Sequence, residues 1–171
     1  MPYLFVLAAV ILRLIPHPWN LTPMGAMFLF SGAAFARRRD ALLVPLAALL
    51  LSDVIVTPVL HGRQFPWFSP FTWAGFLLVG LIGWTLRGRS NVARVAGASL
   101  AGSVAFYVVS NFGVWIQWGM YPLTLAGLAE CYAAALPFFR NTVLGDLGYA
   151  AVLFGSYHWL RHRKLTAAPA G

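Results

Sequence analysis

Apolar stretches, separated by short segments of glycine, proline and clustered charge, occupy most of the chain. An α-helix needs about 20 mostly apolar residues to cross the hydrocarbon core of a bilayer. Six stretches approach or reach that length, at residues 2–15, 22–36, 41–59, 71–86, 92–115 and 138–160. The pattern predicts an all-α, polytopic membrane protein with about six transmembrane helices in a compact bundle.

The composition agrees with a membrane location. Hydrophobic residues make up 60% of the 171 residues, charged residues make up 9%, and the mean hydropathy is +0.75. These values lie outside the range of ordinary soluble domains. We expect a single transmembrane helical domain over residues 1–164 and a disordered cytoplasmic tail over residues 165–171.

The basic residues predict the orientation of this domain. Cytoplasmic loops of membrane proteins carry an excess of lysine and arginine. With six spans, one side receives Arg37, Arg38, Arg39, Arg87, Arg89, Arg94, Arg161, Arg163 and Lys164, and the other receives Arg13, Arg63 and Arg140. We therefore expect a multi-pass protein of a bacterial inner membrane with both termini cytoplasmic. The net charge of +8 is then explained by the arginines and lysine of the cytoplasmic loops. It therefore gives no reason to expect nucleic acid as a partner.

Two carboxylates lie inside predicted spans, Asp53 in the third and Asp146 in the sixth. A carboxylate at the centre of a membrane helix costs roughly 2.5–3.5 kcal/mol on insertion scales, so it normally faces protein or a wet cavity. Helix arithmetic puts Asp53 roughly 20 Å from the cytoplasmic start of its span and Asp146 roughly 12 Å from the external start of its own. Both are predicted at one depth, in the outer half of the membrane.

The fifth stretch carries a polar face that includes Ser103, Tyr107 and Asn111 at helical spacing. Such a face should contact protein or water, because lipid offers its polar groups no partners. The next segment, 115–137, is predicted to lie on the external surface as a short amphipathic or re-entrant element. Trp115 is a plausible interfacial anchor at its start.

These polar residues suggest an outward-facing pocket for a small polar solute. In this hypothesis Asp53, Asn111 and Asp146 hydrogen-bond or charge-pair with the solute, and Tyr107 and Trp115 stack on it. Arg13 and Arg140 guard the entrance, and Asn141 lies beside Arg140. The alternative is that Asp53 and Asp146 form helix-packing ion pairs with Arg13 or Arg140.

Other kinds of chemistry have less support in the sequence. The histidines lie near opposite membrane surfaces, His17 and His61 outside and His158 and His162 inside, which does not suit haem ligation across helices. No Gly-rich phosphate-binding loop is present, so the chain should not use ATP directly. We expect no cofactor, no metal site and no enzymatic activity, although two acids could in principle serve an intramembrane hydrolase.

Three segments resemble the signature blocks of a family of small, uncharacterised bacterial membrane proteins. They read RLIPHPWNLTPMGAMFLFSGAAF, VPLAALLLSDVIV and YPLTLAGLAECYAAALPFFRNTVLGDLGYAAVLFG. More distantly, six short helices with an outward pocket resemble the S components of energy-coupling-factor vitamin transporters. That resemblance implies capture of a vitamin-like nutrient outside the cell and a separate ATPase and scaffold module as partner.

One feature departs from the S-component pattern. Those proteins often carry an AxxxA stripe on the first helix for docking the scaffold, whereas the first stretch here reads VLAAVIL. A comparable stripe, Gly97, Ala101 and Ala105, lies on the fifth stretch. The leading hypothesis is a solute-binding or transport protein of the membrane. A membrane assembly or scaffold subunit that transports nothing is the alternative, and a membrane enzyme is the third.

Overall fold

A computed structural model describes residues 1–15, 18, 20–56 and 69–166, with Val56 and residues 164–166 described by their backbone alone. Within these ranges the chain forms six α-helices and no strand. The helices are α1 (Pro2–Leu14), α2 (Met24–Ala34), α3 (Arg38–Val56), α4 (Pro70–Gly83), α5 (Val92–Gln117) and α6 (Leu125–Thr166). A short 3-10 turn, Trp84–Leu86, extends α4. The predicted all-α fold with six helices is confirmed.

Successive helices run in alternating directions between two ends of the bundle. The Tyr3 hydroxyl donates to the Asp40 carboxylate over 3.0 Å, which joins the starts of α1 and α3. Arg13 pairs with Asp53, which joins the far ends of the same two helices. We call the end of the bundle that contains Arg13 and Asp53 the Asp53 end. The opposite end, where the 3-10 turn after α4 ends at Arg87, is the Arg87 end.

The short helix α2 lies at the centre of the bundle and packs against each of the other five helices. Every residue from Met24 to Gly32 is buried. With 11 residues, α2 is about 16 Å long. The first four N–H groups and last four C=O groups of any helix lack partners within the helix. Because α2 is enclosed, other groups of the protein must supply most of those partners in place of water.

Glycines bring α2 and α4 into backbone contact. A Cβ atom at Gly32 would overlap the Gly80 carbonyl oxygen, and one at Gly83 would overlap the Leu29 carbonyl oxygen. Small residues permit such close approach of helices, and they are common where membrane helices meet. The α2–α4 contact therefore requires glycine at both positions.

Helix α6 begins earlier than the sequence suggests. The segment at 115–137 is predicted to form a separate surface element, but α6 is continuous from Leu125 through Pro137 to Thr166. A proline within a helix removes one backbone hydrogen bond, and other groups can compensate for part of that loss. Pro137 leaves the Ala133 carbonyl oxygen without its helical donor, and the Tyr107 hydroxyl donates to the preceding carbonyl oxygen, that of Tyr132, over 2.5 Å. The separate surface element is therefore wrong over most of its length.

Helix length and composition support one membrane span within the described residues. Helix α5, with 26 residues, is long and apolar enough to cross a bilayer. Helices α1 and α2 and the stretch Pro70–Leu86 are apolar but shorter. The predicted tail begins at residue 165, and α6 extends through Thr166. Residues 167–171 lie outside the described residues, so the tail stays a prediction.

Candidate functional site

Asp146 caps the buried N-terminus of α2 from a different helix. The residue that precedes α2, Pro23, makes no side-chain capping bond. Instead, the Ala26 backbone N–H donates to the Asp146 carboxylate. A carboxylate at a helix N-terminus satisfies free N–H groups and interacts favourably with the positive end of the helix dipole. Thr22, just before α2, accepts a hydrogen bond from the Met24 N–H over 3.1 Å, and Asp146 adds a charged acceptor from another helix.

Two further contacts fix the Asp146 side chain. The Ser103 hydroxyl of α5 donates to Asp146 Oδ2 over 2.7 Å. On the other side the carboxylate rests against Gly25, where a Cβ atom would overlap it. Asp146 is only 5% exposed, so these partners replace water around the charge. The side chain joins α2, α5 and α6 at one point.

Arg87 caps the opposite end of α2. Its Nε donates to the Gly32 carbonyl oxygen over 2.8 Å, and its Nη2 donates to the Phe35 carbonyl oxygen over 2.9 Å. A cation at a helix C-terminus complements the negative end of the dipole. The guanidinium carbon also lies 5.8 Å from the centroid of the Trp84 ring. The central helix therefore has an acid at its start and a base at its end, each from a neighbouring element.

A second charged group lies at the Asp53 end, between α1, α3 and α4. Arg13 Nη2 lies 2.5 Å from Asp53 Oδ1, and Nη1 of the same guanidinium donates to the Ser52 hydroxyl. The Trp73 indole N–H donates to Asp53 Oδ2 over 3.2 Å. We call Arg13, Asp53 and Trp73 the Arg13 cluster. The Arg13 side chain is 15% exposed and the Asp53 side chain is 11% exposed, so part of each remains accessible.

Three other predicted site residues bond to nearby backbone. Tyr107 donates to the carbonyl oxygen of Tyr132, as described above. Asn111 Nδ2 donates to the Tyr107 carbonyl oxygen over 2.8 Å, within the same helix. The Trp115 indole N–H donates to the Pro122 carbonyl oxygen over 2.9 Å. Tyr107 and Trp115 thus fasten α5 to α6 and to the loop before it, and the polar face of α5 contacts protein as predicted.

The remaining predicted residues lie on α6. Arg140 is exposed, and it makes no hydrogen bond or ion pair with the described part of the chain. Asn141 is half-buried beside it. His17, His61 and Arg63, which were predicted to lie in external loops, fall outside the described residues.

The two acids do not share a set of partners. Asp53 bonds to α1 and α4, whereas Asp146 bonds to α2 and α5. For Asp53 the structure contains the ion pair with Arg13 that was the alternative to ligand binding. The roles of Trp73 and Arg87 are not among the predictions from the sequence. The sequence predicts Arg87 only as one of the basic residues on the cytoplasmic side, and the position of α2 reveals its second role.

Among the described residues, no three His, Cys, Asp or Glu side chains come together in a way that could hold a metal ion. The lone cysteine, Cys131, is buried and lies 3.5 Å from the Asn111 carbonyl oxygen.

The fold and these contacts define a class of protein: an all-α, six-helix bundle around a short central helix that is capped at both ends by charged side chains of its neighbours. The chain belongs to DUF6580, a family of unknown function whose model matches residues 1–168. Neither the curated proteins nor the solved structures contain a match to it. The expectation of an uncharacterised family is confirmed, and the likeness to S components stays a prediction.

Proposed function

We propose that this protein is a polytopic protein of the bacterial inner membrane that binds a small polar, vitamin-like solute from the external side. The Asp53 end faces outward, and the Arg13 cluster makes the first contacts with the solute. By analogy with S components, a separate ATPase and scaffold module supplies the energy for uptake. Asp146 has a structural role in this proposal.

The lateral surface of the bundle supports a membrane location. Large apolar side chains are exposed along α1 and α3, whereas soluble monomers rarely expose large contiguous apolar patches. Examples on these two helices are Leu4, Leu7, Ile11, Leu43, Leu51, Val54 and Ile55, each more than half exposed. Lipid tails would cover these faces.

The distribution of charge supports the orientation. The arginines at 37–39, 87, 89, 94, 161 and 163 belong to segments at the Arg87 end, and Arg13 lies at the Asp53 end. An excess of arginine marks the cytoplasmic side. The alternating helices also bring the starts of α1 and α3 and the last turns of α6 to the same end of the bundle. Both termini are then cytoplasmic.

The observation that carries the proposal is the partly exposed ion pair between Arg13 and Asp53. Buried ion pairs often add little stability, because desolvation of the charges offsets their attraction. Ionisable residues inside membrane proteins more often mark substrate or ion sites. This pair lies at the end of the bundle where α1 and α3 finish and α4 begins, and it retains access to its surroundings.

The chemistry of the Arg13 cluster indicates the kind of solute. A guanidinium binds carboxylate or carbonyl oxygens, and a carboxylate binds ammonium or N–H groups. Trp73 adds an aromatic ring beside them, which favours planar or cationic groups. A solute with an acceptor at one side and a donor at the other could replace the Arg13–Asp53 contact with two contacts of its own.

A paired neutral variant separates binding from stability. The double variant Arg13→Gln/Asp53→Asn removes both charges together, so no unpaired charge is left buried. We expect its thermal unfolding midpoint in detergent to remain close to that of the wild type. A panel of water-soluble vitamins should contain a compound that raises the wild-type midpoint, because a ligand that binds only the folded state stabilises it. That shift should be lost in the double variant.

The matched control is Glu130→Gln, which neutralises an exposed acid on α6. It should retain the full ligand-induced shift. Uptake of the same compound by cells that produce equal amounts of each protein provides the second measurement. Solute binding at the Arg13 cluster is contradicted if the double variant binds and transports as well as the wild type.

A second candidate function is a membrane assembly subunit that transports nothing. The observation in its favour is that Asp146, Tyr107 and Trp115 all serve contacts within the chain, and the apolar faces of α1 and α3 could receive a partner helix. In that case no vitamin should raise the wild-type midpoint, and cells that produce the protein should show no uptake above cells that lack it. A partner membrane protein should then co-purify with the wild type, and it should be lost from the Leu51→Arg variant, which places a charge on the apolar face of α3.

A further inference from the structure

A pocket of about 270 Å³ lies at the Arg87 end, between the C-terminal ends of α2 and α4, the start of α5 and the last turns of α6. Its lining includes the apolar side chains of Phe30, Leu86 and Phe154 and the polar side chains of Ser90, His158 and Arg161. The apolar members are buried and Arg161 is exposed. The pocket therefore has a basic mouth, and the apolar side chains behind it are almost completely covered by the protein.

The polar groups at the mouth are held in place by the fold. Ser90 Oγ and His158 Nε2 lie 3.1 Å apart and join the start of α5 to α6. One helical turn further along, the Arg161 guanidinium carbon lies 5.8 Å from the Tyr157 ring centroid. Within the described residues, Arg161 has no hydrogen bond or ion pair. Its N–H donors are thus available to a ligand.

No carboxylate among the described lining residues balances this positive charge. Asp40, on the first turn of α3 at the same end, accepts the hydrogen bond from the Tyr3 hydroxyl. Ser90 directly precedes Asn91, the N-cap residue of α5, so the positive end of that helix dipole lies next to the mouth. The local field therefore favours an anion.

We propose that this pocket binds a phosphate-bearing group, with Arg161, His158 and Ser90 as its polar contacts. Arginine offers several N–H donors to phosphate oxygens, and hydroxyl and imidazole groups add single bonds. Ligand pockets usually measure about 300–1,000 Å³, so this one suits a head group and little more. The inference goes beyond solute capture, but its choice of a lipid rests on the membrane orientation proposed above.

The proposed membrane location indicates that the phosphate belongs to a lipid. In the proposed orientation the pocket lies at the cytoplasmic leaflet, where basic pockets between helices bind anionic head groups. An anionic phospholipid is thus the favoured source of the phosphate, and inorganic phosphate is the second.

A titration in uncharged detergent tests this site. The thermal unfolding midpoint of the full chain is followed against short-chain phosphatidylglycerol, short-chain phosphatidylcholine and inorganic phosphate. We expect phosphatidylglycerol to raise the midpoint at the lowest concentration. Arg161→Gln should weaken its apparent affinity about tenfold, which is the effect of losing one charge-assisted hydrogen bond. Ser90→Ala should weaken it less, because it removes a neutral contact.

The matched control is Arg94→Gln, which removes an exposed arginine of α5 at the same end but outside the pocket lining. It should leave the affinity for phosphatidylglycerol within about twofold, because charges at exposed sites are screened by salt. Equal binding of inorganic phosphate and phosphatidylglycerol would support the phosphate site and assign it to a soluble ligand. The proposal is overturned if neither compound binds, or if Arg94→Gln weakens binding as much as Arg161→Gln.

Discussion

Replacing Asp146 with alanine should lower the free energy of unfolding by about 3 kcal/mol or more. A buried donor that loses its partner costs about 1–3 kcal/mol, with larger values where a charged group took part. Asp146→Ala leaves two such donors, the Ala26 N–H and the Ser103 hydroxyl, and removes the negative charge from the start of α2. The measurement is unfolding of the purified protein in mixed detergent and SDS micelles, followed by tryptophan fluorescence.

Asp146→Asn separates the charge from the hydrogen bonds. The oxygen of the asparagine amide can still accept one hydrogen bond. Its NH₂ group, however, is itself a donor and would face the Ala26 N–H or the Ser103 hydroxyl, which are donors too. We therefore expect a smaller loss than for alanine, about 1–2 kcal/mol, in the range reported for charge at partly buried helix termini. The control is Glu130→Gln, an exposed acid on the same helix, which should unfold like the wild type. Capping of α2 by Asp146 is refuted if Asp146→Ala is as stable as Glu130→Gln.

Adding one methyl group at Gly32 or Gly83 should have a comparable effect. Overpacking a core costs about 1–3 kcal/mol and occasionally more. The cost here should be at the upper end of that range, because the new Cβ atom would meet a backbone carbonyl oxygen that cannot rotate away. Gly83→Ala and Gly32→Ala should each reduce the yield of folded protein and lower the thermal unfolding midpoint. The two substitutions should not add fully, since they act on one interface.

Glycines with open space provide the matched control. A Cβ atom at Gly97 or Gly155 would meet nothing within 4 Å, although both residues lie inside helices. Alanine in a helix interior is favoured over glycine by about 0.5–1 kcal/mol. Gly97→Ala and Gly155→Ala should therefore be neutral or stabilising. A similar loss at all four glycines would contradict the close α2–α4 contact.

Much of the fold could be predicted from the apolar stretches of the sequence. The first five apolar stretches match α1 to α5 within a few residues, because each is bounded by proline, glycine or clustered charge. The start of α6 was missed because Pro137 resembles a helix end. The sequence LAGLAECYAAAL favours a helix on both sides of it, and the missing backbone bond was tolerated.

The candidate site was only partly predictable. An acid inside an apolar stretch signals a special environment, and both Asp53 and Asp146 have one. Which partner each acid meets depends on tertiary packing. Nothing in the sequence shows that α2 is enclosed by five helices and needs Asp146 and Arg87 at its ends. The pairing of Arg13 with Asp53 was foreseen as one of two alternatives, whereas Trp73 has no local signal.

The central claim is that the bundle crosses the inner membrane with the Asp53 end outside. It can be tested by cysteine labelling in a Cys131→Ser background. Leu123→Cys places a thiol in the exposed loop between α5 and α6 at the Asp53 end, and Arg89→Cys places one in the exposed segment at the Arg87 end. A membrane-impermeant maleimide should label the Leu123→Cys variant in intact cells, and the Arg89→Cys variant only after the membrane is permeabilised. Labelling of both variants in intact cells, or the reverse pattern, would contradict this topology and with it the capture of solute at the Arg13 cluster.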